Sequence, residues 1–169
     1  KALCTYFTFV CTDFLGFIAD ANTTLDNTDR FPIFIGHEPC GTSTLDMLHW
    51  RQMVLQKTYV FQLYNYGTNM NQAIYGQPTP PILNLGNIDI PVHLFVGTYD
   101  RLADVTDATQ LKNDLVGSPK VTWSEYPYGH MTFLWGKQSD YMAEVFTILS
   151  QYNQLAIRSG DQDIEGLDQ

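Results

Sequence analysis

Basic side chains are scarce in this sequence, with 9 Lys and Arg against 18 Asp and Glu and a formal charge of −9. That balance argues against nucleic acid or an anionic membrane surface as the main partner, since both need clustered cations. Long apolar runs are missing too, and no stretch is long enough to span a bilayer. Cysteine is sparse and odd in number: 3 residues, Cys4, Cys11 and Cys40. Without C-x-x-C spacing or a His-rich partner segment, a structural zinc site is not expected, and neither is a cofactor. The cysteines read either as buried thiols or, in an oxidising compartment, as partners of a residue outside the chain. The start lacks both a methionine and a basic leader, so it reads as the continuation of something longer.

What is present favours a packed domain. Hydrophobic residues make up 44% and aromatics 14% of 169 positions, enough for a core. Part of the acidity is local: "SGDQDIEGLDQ", residues 159–169, carries four acids and no base and is expected to be a solvated, disordered tail. Asn22-Thr23-Thr24 forms a sequon compatible with glycosylation.

Two grammars divide the chain. Residues 1–20 crowd apolar positions all round and predict a buried helix. "ANTTLDNTDR" reads as a polar loop. Thr42 or Ser43 can cap a helix from Thr44 to Lys57, with Leu45, Leu48, Met53 and Val54 along one stripe. The Gly-, Asn- and Pro-rich stretch from Tyr64 to Pro91 reads as a connector. From Ile90 the pattern becomes strand, helix, strand, helix. "PVHLFVG" is a short apolar run expected to be buried on both faces. Asp104 and Asp107 mark the start of a helix over 104–115. "KVTWSEYP" alternates as a second strand. A helix from Ser139 is expected to turn Met142, Val145, Phe146 and Leu149 inward. Short links between these elements imply a parallel sheet.

Binding groups in open parallel sheets lie beyond the carboxyl ends of the strands. Asp100 follows the first strand and His130 the second, so neighbouring strands would bring the two side chains to one edge. A buried carboxylate there fixes the imidazole tautomer and stabilises the imidazolium formed during proton transfer. Such a pair needs a Ser or Cys nucleophile to perform acyl transfer. An acid at a strand end can equally be a turn former, and a histidine in a Tyr/Gly loop a packed surface residue.

Several segments together carry a resemblance. "GHEPCGTSTLDMLHWRQM", "PPILNLGNIDIPVHLFVGTYDRLAD" and "YPYGHMTFLWG" resemble, in order, motifs of the acid lipases, the family of gastric and lysosomal lipases. "ALCTYFTFVC" is a looser match to the cysteine-containing lid helix of that family. The resemblance runs from about Leu3 to Leu149. It implies the C-terminal portion of an α/β-hydrolase: the last two parallel strands with flanking helices over 82–158, preceded by part of a mainly helical lid over 1–81. Asp100 matches the family's triad acid and His130 its triad base. Asp104 matches a recurrent acid expected to cap the next helix, and His49 and Trp50 a recurrent pair expected to pack. His37 lies in a loop where the family also has His, and His93 is expected in the core or on the sheet face. Thr132 stands where the family has a further Asp, a change expected to alter a local hydrogen bond.

No G-x-S-x-G occurs, and Ser43 in "GTSTL" lacks the second glycine that a nucleophile elbow needs. The resemblance therefore implies a serine supplied by an N-terminal hydrolase half, from the same precursor or a companion chain. It also implies a neutral lipid ester as substrate, which negative charge does not exclude, and a secreted or lysosomal location. The competing expectation is a non-catalytic lipase-like subunit held in a larger assembly. Either way, a sheet cut through its middle would expose an unpaired strand edge that soluble proteins avoid.

Overall fold

The computed structural model describes residues 8–22, 24–37, 41–56 and 58–165. Expectations for residues 1–7, for Cys4 and Cys40 and for the Cys11 side chain fall outside it. In chain order the helices before the sheet are α1 (Thr8–Ala19), α2 (Phe31–His37), α3 (Thr44–Leu55) and α4 (Thr68–Tyr75). Then come β1 (Val92–Gly97), α5 (Val105–Asp114), β2 (Val121–Tyr126), α6 (Thr132–Trp135) and α7 (Tyr141–Glu165).

The centre is a β–α–β unit. β1 and β2 pair in parallel, from Val92 opposite Val121 to Gly97 opposite Tyr126, and among the described residues they form a sheet of two strands. Parallel pairing requires a crossover, which α5 supplies. Asp104 starts that helix as the sequence predicts, its carboxylate accepting from the Thr106 and Asp107 amides at 2.7 and 3.0 Å. Leu115, just past the helix, is buried, and the Lys112 ammonium lies 5.2 Å from the Trp123 ring centre on β2. Val96 and Gly97 are buried, whereas Val92 to Phe95 are half-buried rather than enclosed on both faces. Two strands with few covering elements cannot enclose them.

α7 corrects an expectation in an orderly way. Its inward residues are Tyr141, Glu144, Val145 and Ile148, with Met142 also half-buried, while Phe146 and Leu149 are exposed. The inward set keeps the expected spacing but is rotated by one residue, about 100° of helix. Polar anchoring sets the rotation. Glu144 accepts from the Ser124 hydroxyl at 2.6 Å and from the Tyr126 hydroxyl at 2.7 Å. These bonds hold the Glu144 carboxyl below its usual range, and the same carboxylate pushes Tyr126 up to about 12. His93 lies at the sheet face, bonded to the Thr122 and Tyr152 hydroxyls. α7 continues to Glu165, into the segment whose composition predicts a disordered tail.

Before the sheet, the helices are present but poorly covered. α1 forms as expected; among its described side chains Val10, Phe17 and Ile18 are exposed and Ala19 is buried. α3 starts at Thr44 with Ser43 as its cap, its hydroxyl accepting from the Leu45 amide. Of its expected inward stripe only Met53 is half-buried: Leu45, Leu48 and Val54 are exposed, as is Trp50 at 64%. Within the expected connector the structure has the helix α4, closed by Gly76 at φ 73°, a left-handed cap that glycine adopts without penalty. Total accessible surface is 12149 Å², where area–mass scaling gives roughly 8,400 Å² for a compact monomer of this mass.

Candidate active site

The site grows from two turns at the carboxyl ends of the strands. Past β1 the ladder continues, with the Thr98 amide donating to Tyr126 and the Tyr99 amide to Tyr128. The Asp100 amide then donates back to the Gly97 carbonyl. The Asp100 carboxylate works with both oxygens. Oδ1 accepts from the Leu102 and Ala103 amides, each at 2.8 Å, and Oδ2 lies 3.0 Å from His130 Nδ1. The acid's side chain is 6% exposed and the histidine's 41%. Three donors thus converge on one carboxylate. An acceptor oxygen at Nδ1 directs the ring proton to that nitrogen and leaves the Nε2 lone pair available.

The His130 loop is anchored by two acids that the sequence reading passed over. Residues 19–21 pair antiparallel with 99–101, through Ala21 N–H to Tyr99 O and Arg101 N–H to Ala19 O, 2.7 and 2.9 Å. This pairing brings the buried Asp20 beneath the loop, where Oδ1 accepts from the Met131 amide at 3.2 Å. Asp26, also buried, accepts from the Thr132 hydroxyl at 2.7 Å, and that hydroxyl accepts from the Gly129 amide at 3.0 Å. Thr132, which stands where the family motif has an acid, thus links the Gly129 amide to the Asp26 carboxylate. Burial pushes both Asp20 and Asp26 above the ordinary carboxyl value. For Asp20 the negative charges of Asp26 and Asp100 add to the rise, and the Met131 and His130 amides oppose it. For Asp26 the Thr132 hydroxyl and Lys137 oppose it. Phe31, Phe34 and Met131 pack with Trp135 beside these bonds, the Phe31 and Trp135 rings 5.6 Å apart.

The other singled-out residues lie elsewhere. His49 bonds to the Gln62 carbonyl at 2.9 Å and faces Tyr64, whereas Trp50, expected to pack with it, is exposed. His37 is the last residue of α2. The Asn22 carboxamide accepts from the Thr24 amide. Among the described residues no group of His, Cys, Asp or Glu is arranged to hold a metal, and no helix is long and apolar enough to cross a membrane. A surface hollow of about 770 Å³ between α3 and α5 is lined by residues such as Met53, Tyr59, Phe61 and Leu111, not by Asp100 or His130.

A two-stranded parallel sheet with helices, carrying an acid–histidine pair beyond its strand ends, defines a partial α/β fold. Comparison with known proteins gives the family: the chain is acid-lipase-like. It is 33% identical to gastric triacylglycerol lipase of Mus musculus over 130 residues, 74% of this chain and 32% of that protein. Against lipase lipl-1 of Caenorhabditis elegans the identity is 35%, over 75% of this chain and 31% of the relative. Human lysosomal acid lipase/cholesteryl ester hydrolase is 34% identical over 65% of this chain and 27% of its own length. The chain thus spans about a third of the length of these relatives. No family model matches it.

Proposed function

We propose that this chain is the C-terminal part of a serine lipase that hydrolyses neutral lipid esters, triacylglycerol or sterol ester. In this reading Asp100 and His130 are the triad acid and base, and the serine comes from an N-terminal hydrolase half. The observation that carries it is the 3.0 Å approach of His130 Nδ1 to Asp100 Oδ2 at the carboxyl edge of parallel strands, in lipase-like sequence. His130 Nε2 would take the serine Oγ proton as Oγ adds to the ester carbonyl, then return it to the departing alcohol. Water attacks the resulting acyl-enzyme by the same route, releasing the acid and regenerating the serine. Residues 1–81 belong to the lid in this reading, and 82–158 to the core.

Three further observations support it. Among the described residues the two-stranded sheet leaves strand edges that added strands would pair. The surface excess, with Phe17 76%, Val54 79% and Leu134 79% exposed, suits a chain whose apolar faces meet another part of the same fold. The relatives it matches are named as lipases and hydrolases, so a purely structural subunit is not favoured. Gastric and lysosomal relatives also suit a secretory route, in which Asn22 is the candidate glycosylation site.

The test begins with native-source protein. Mass spectrometry on peptides upstream of Lys1, or on a co-purifying chain, should reveal a G-x-S-x-G serine. A fluorophosphonate probe should then label that serine in the assembled protein, with labelling abolished by His130→Ala. An assembled protein that has no reactive serine, or that reacts equally well without His130, sinks the proposal.

A further inference from the structure

We propose that Asp20 and Asp26 are positioning residues for His130, holding the two ends of its loop so that the imidazole meets Asp100. The inference rests on the lipase reading and concerns residues that neither touch substrate nor belong to the triad.

The geometry is directional. On one side of His130, the Gly129 amide donates to Thr132 Oγ1, whose own proton goes to Asp26 Oδ1. On the other side, the Met131 amide donates to Asp20 Oδ1. The loop is therefore gripped at 129, 131 and 132, and His130 is the residue between the grips. Thr132 is 1% exposed, Asp20 5% and Asp26 7%, so water does not compete for these bonds. Gly129 supplies an independent sign of the same design. A Cβ at 129 would overlap the Asp20 carboxylate and lie 2.6 Å from its Cβ, so the acid fills the space that only glycine leaves open.

The grip reaches the triad acid as well. Asp20 sits in the antiparallel bridge opposite Asp100, and Arg101 N–H donates to Ala19 O. The described residues of one short segment, 19–22 and 24–27, therefore fix the backbone on both sides of the His130–Asp100 bond. Lys137 closes its far end, its amide donating to Leu25 O and its ammonium to Thr24 O. Burying carboxylates without full compensation is costly, and burial raises the proton affinity of both. Apolar residues would fill the same space without that cost, but they would accept no hydrogen bond from the loop.

The experiment uses the full-length assembled enzyme, with Asp26→Ala, Asp20→Ala and the near-isosteric Thr132→Val. Misplacement of a catalytic group by about 1 Å can cost about 100-fold in rate, so kcat should fall roughly 10- to 100-fold in each variant while KM stays within about twofold. The imidazole N–H resonance of His130, seen in 15N-histidine-labelled protein, should weaken or vanish by faster exchange. Asp26→Asn and Asp20→Asn keep an acceptor oxygen and should recover kcat to within about threefold of the parent. Thr132→Val preserves volume and carries the test if an alanine variant does not fold. Folded variants with parental kcat and an unchanged ring resonance overturn the proposal. A parent without esterase activity whose ring resonance still depends on Asp20 and Asp26 would sink the lipase reading and leave the positioning role standing.

Discussion

Residues 128–135 and helix α3 are both rich in aromatic and apolar side chains, yet they meet solvent in opposite ways. In the first stretch Tyr128, Thr132 and Trp135 are 2%, 1% and 6% exposed. In α3 no residue is buried, and Trp50 and Val54 are 64% and 79% exposed. What holds each region also differs. The His130 loop is packed against Phe31 and tied by buried carboxylates, so its geometry is settled within the chain. α3 is secured by polar clamps, with Gln52 bonding to Leu63 O and Asn65 N, and His49 to Gln62 O. Its position is fixed while its apolar face is left open. The acid–histidine loop is tied from within the chain, whereas α3 leaves its apolar side chains uncovered among the described residues.

Breaking the finished region should have the largest consequences. On the lipase reading, Asp100→Asn keeps the shape but puts an amide where His130 Nδ1 meets a carboxylate, so kcat in ester-hydrolysis assays should fall about 10⁴-fold. Trp135→Ala empties the contact with Phe31 and Phe34 and should cost about 3–5 kcal/mol in denaturant unfolding. Within the clamped region, Asn71 is 1% exposed and bonds to Tyr66 N, Asn65 Oδ1 and Pro78 O. Asn71→Ala strands these groups and should cost about 1–3 kcal/mol, read as faster hydrogen exchange over 65–78 with little change at 128–135. Loss of protection in both regions together would erase the distinction drawn between them.

The smallest effect concerns pH. Asp20 and Asp26 have raised values in the folded state, so the folded chain binds their protons more tightly than the unfolded chain does. Their contribution to stability is full below the ordinary value of 3.8 and declines as pH rises through the raised values. Lys137 opposes this at Asp26, and the Met131 amide opposes it at Asp20. Replacing both acids with Asn should flatten that decline in denaturant midpoints measured from pH 3 to 7. An unaltered slope would mean that other groups dominate acid stability.

Much of the central unit was legible because its signals are local. An apolar β-branched run ended by glycine marks β1, Asp104 caps α5 through its own next residues, and parallel pairing follows from the strand–helix–strand order. The proximity of Asp100 to His130 follows from that pairing. Asp20 and Asp26 were not legible, since their partners lie 111 and 106 residues away; Asp26 in "ANTTLDNTDR" looks like any solvated loop acid, and Asp20 like the end of the first helix. α4 was hidden because its ends are glycines, which read as breaks in a connector when they bound a helix. The stripes on α3 and α7 show the other limit. Periodicity finds an apolar face, but which face turns inward depends on partners such as Glu144 and Ser124 that join distant segments.

The short ladder between 19–21 and 99–101 has a mechanical meaning. Arg101 Nη1 also donates to Phe17 O at 2.7 Å, so the last turn of α1 is pinned to the turn bearing Asp100. Such a joint is a fixed pivot. Any swing of α1 must bend the helix ahead of residue 17 or carry Asp100 away from His130. Displacing Asp100 would break its hydrogen bond to His130, in which the acid's side chain is only 6% exposed. The pivot therefore couples the placement of the last turn of α1 to the alignment of the acid–histidine pair.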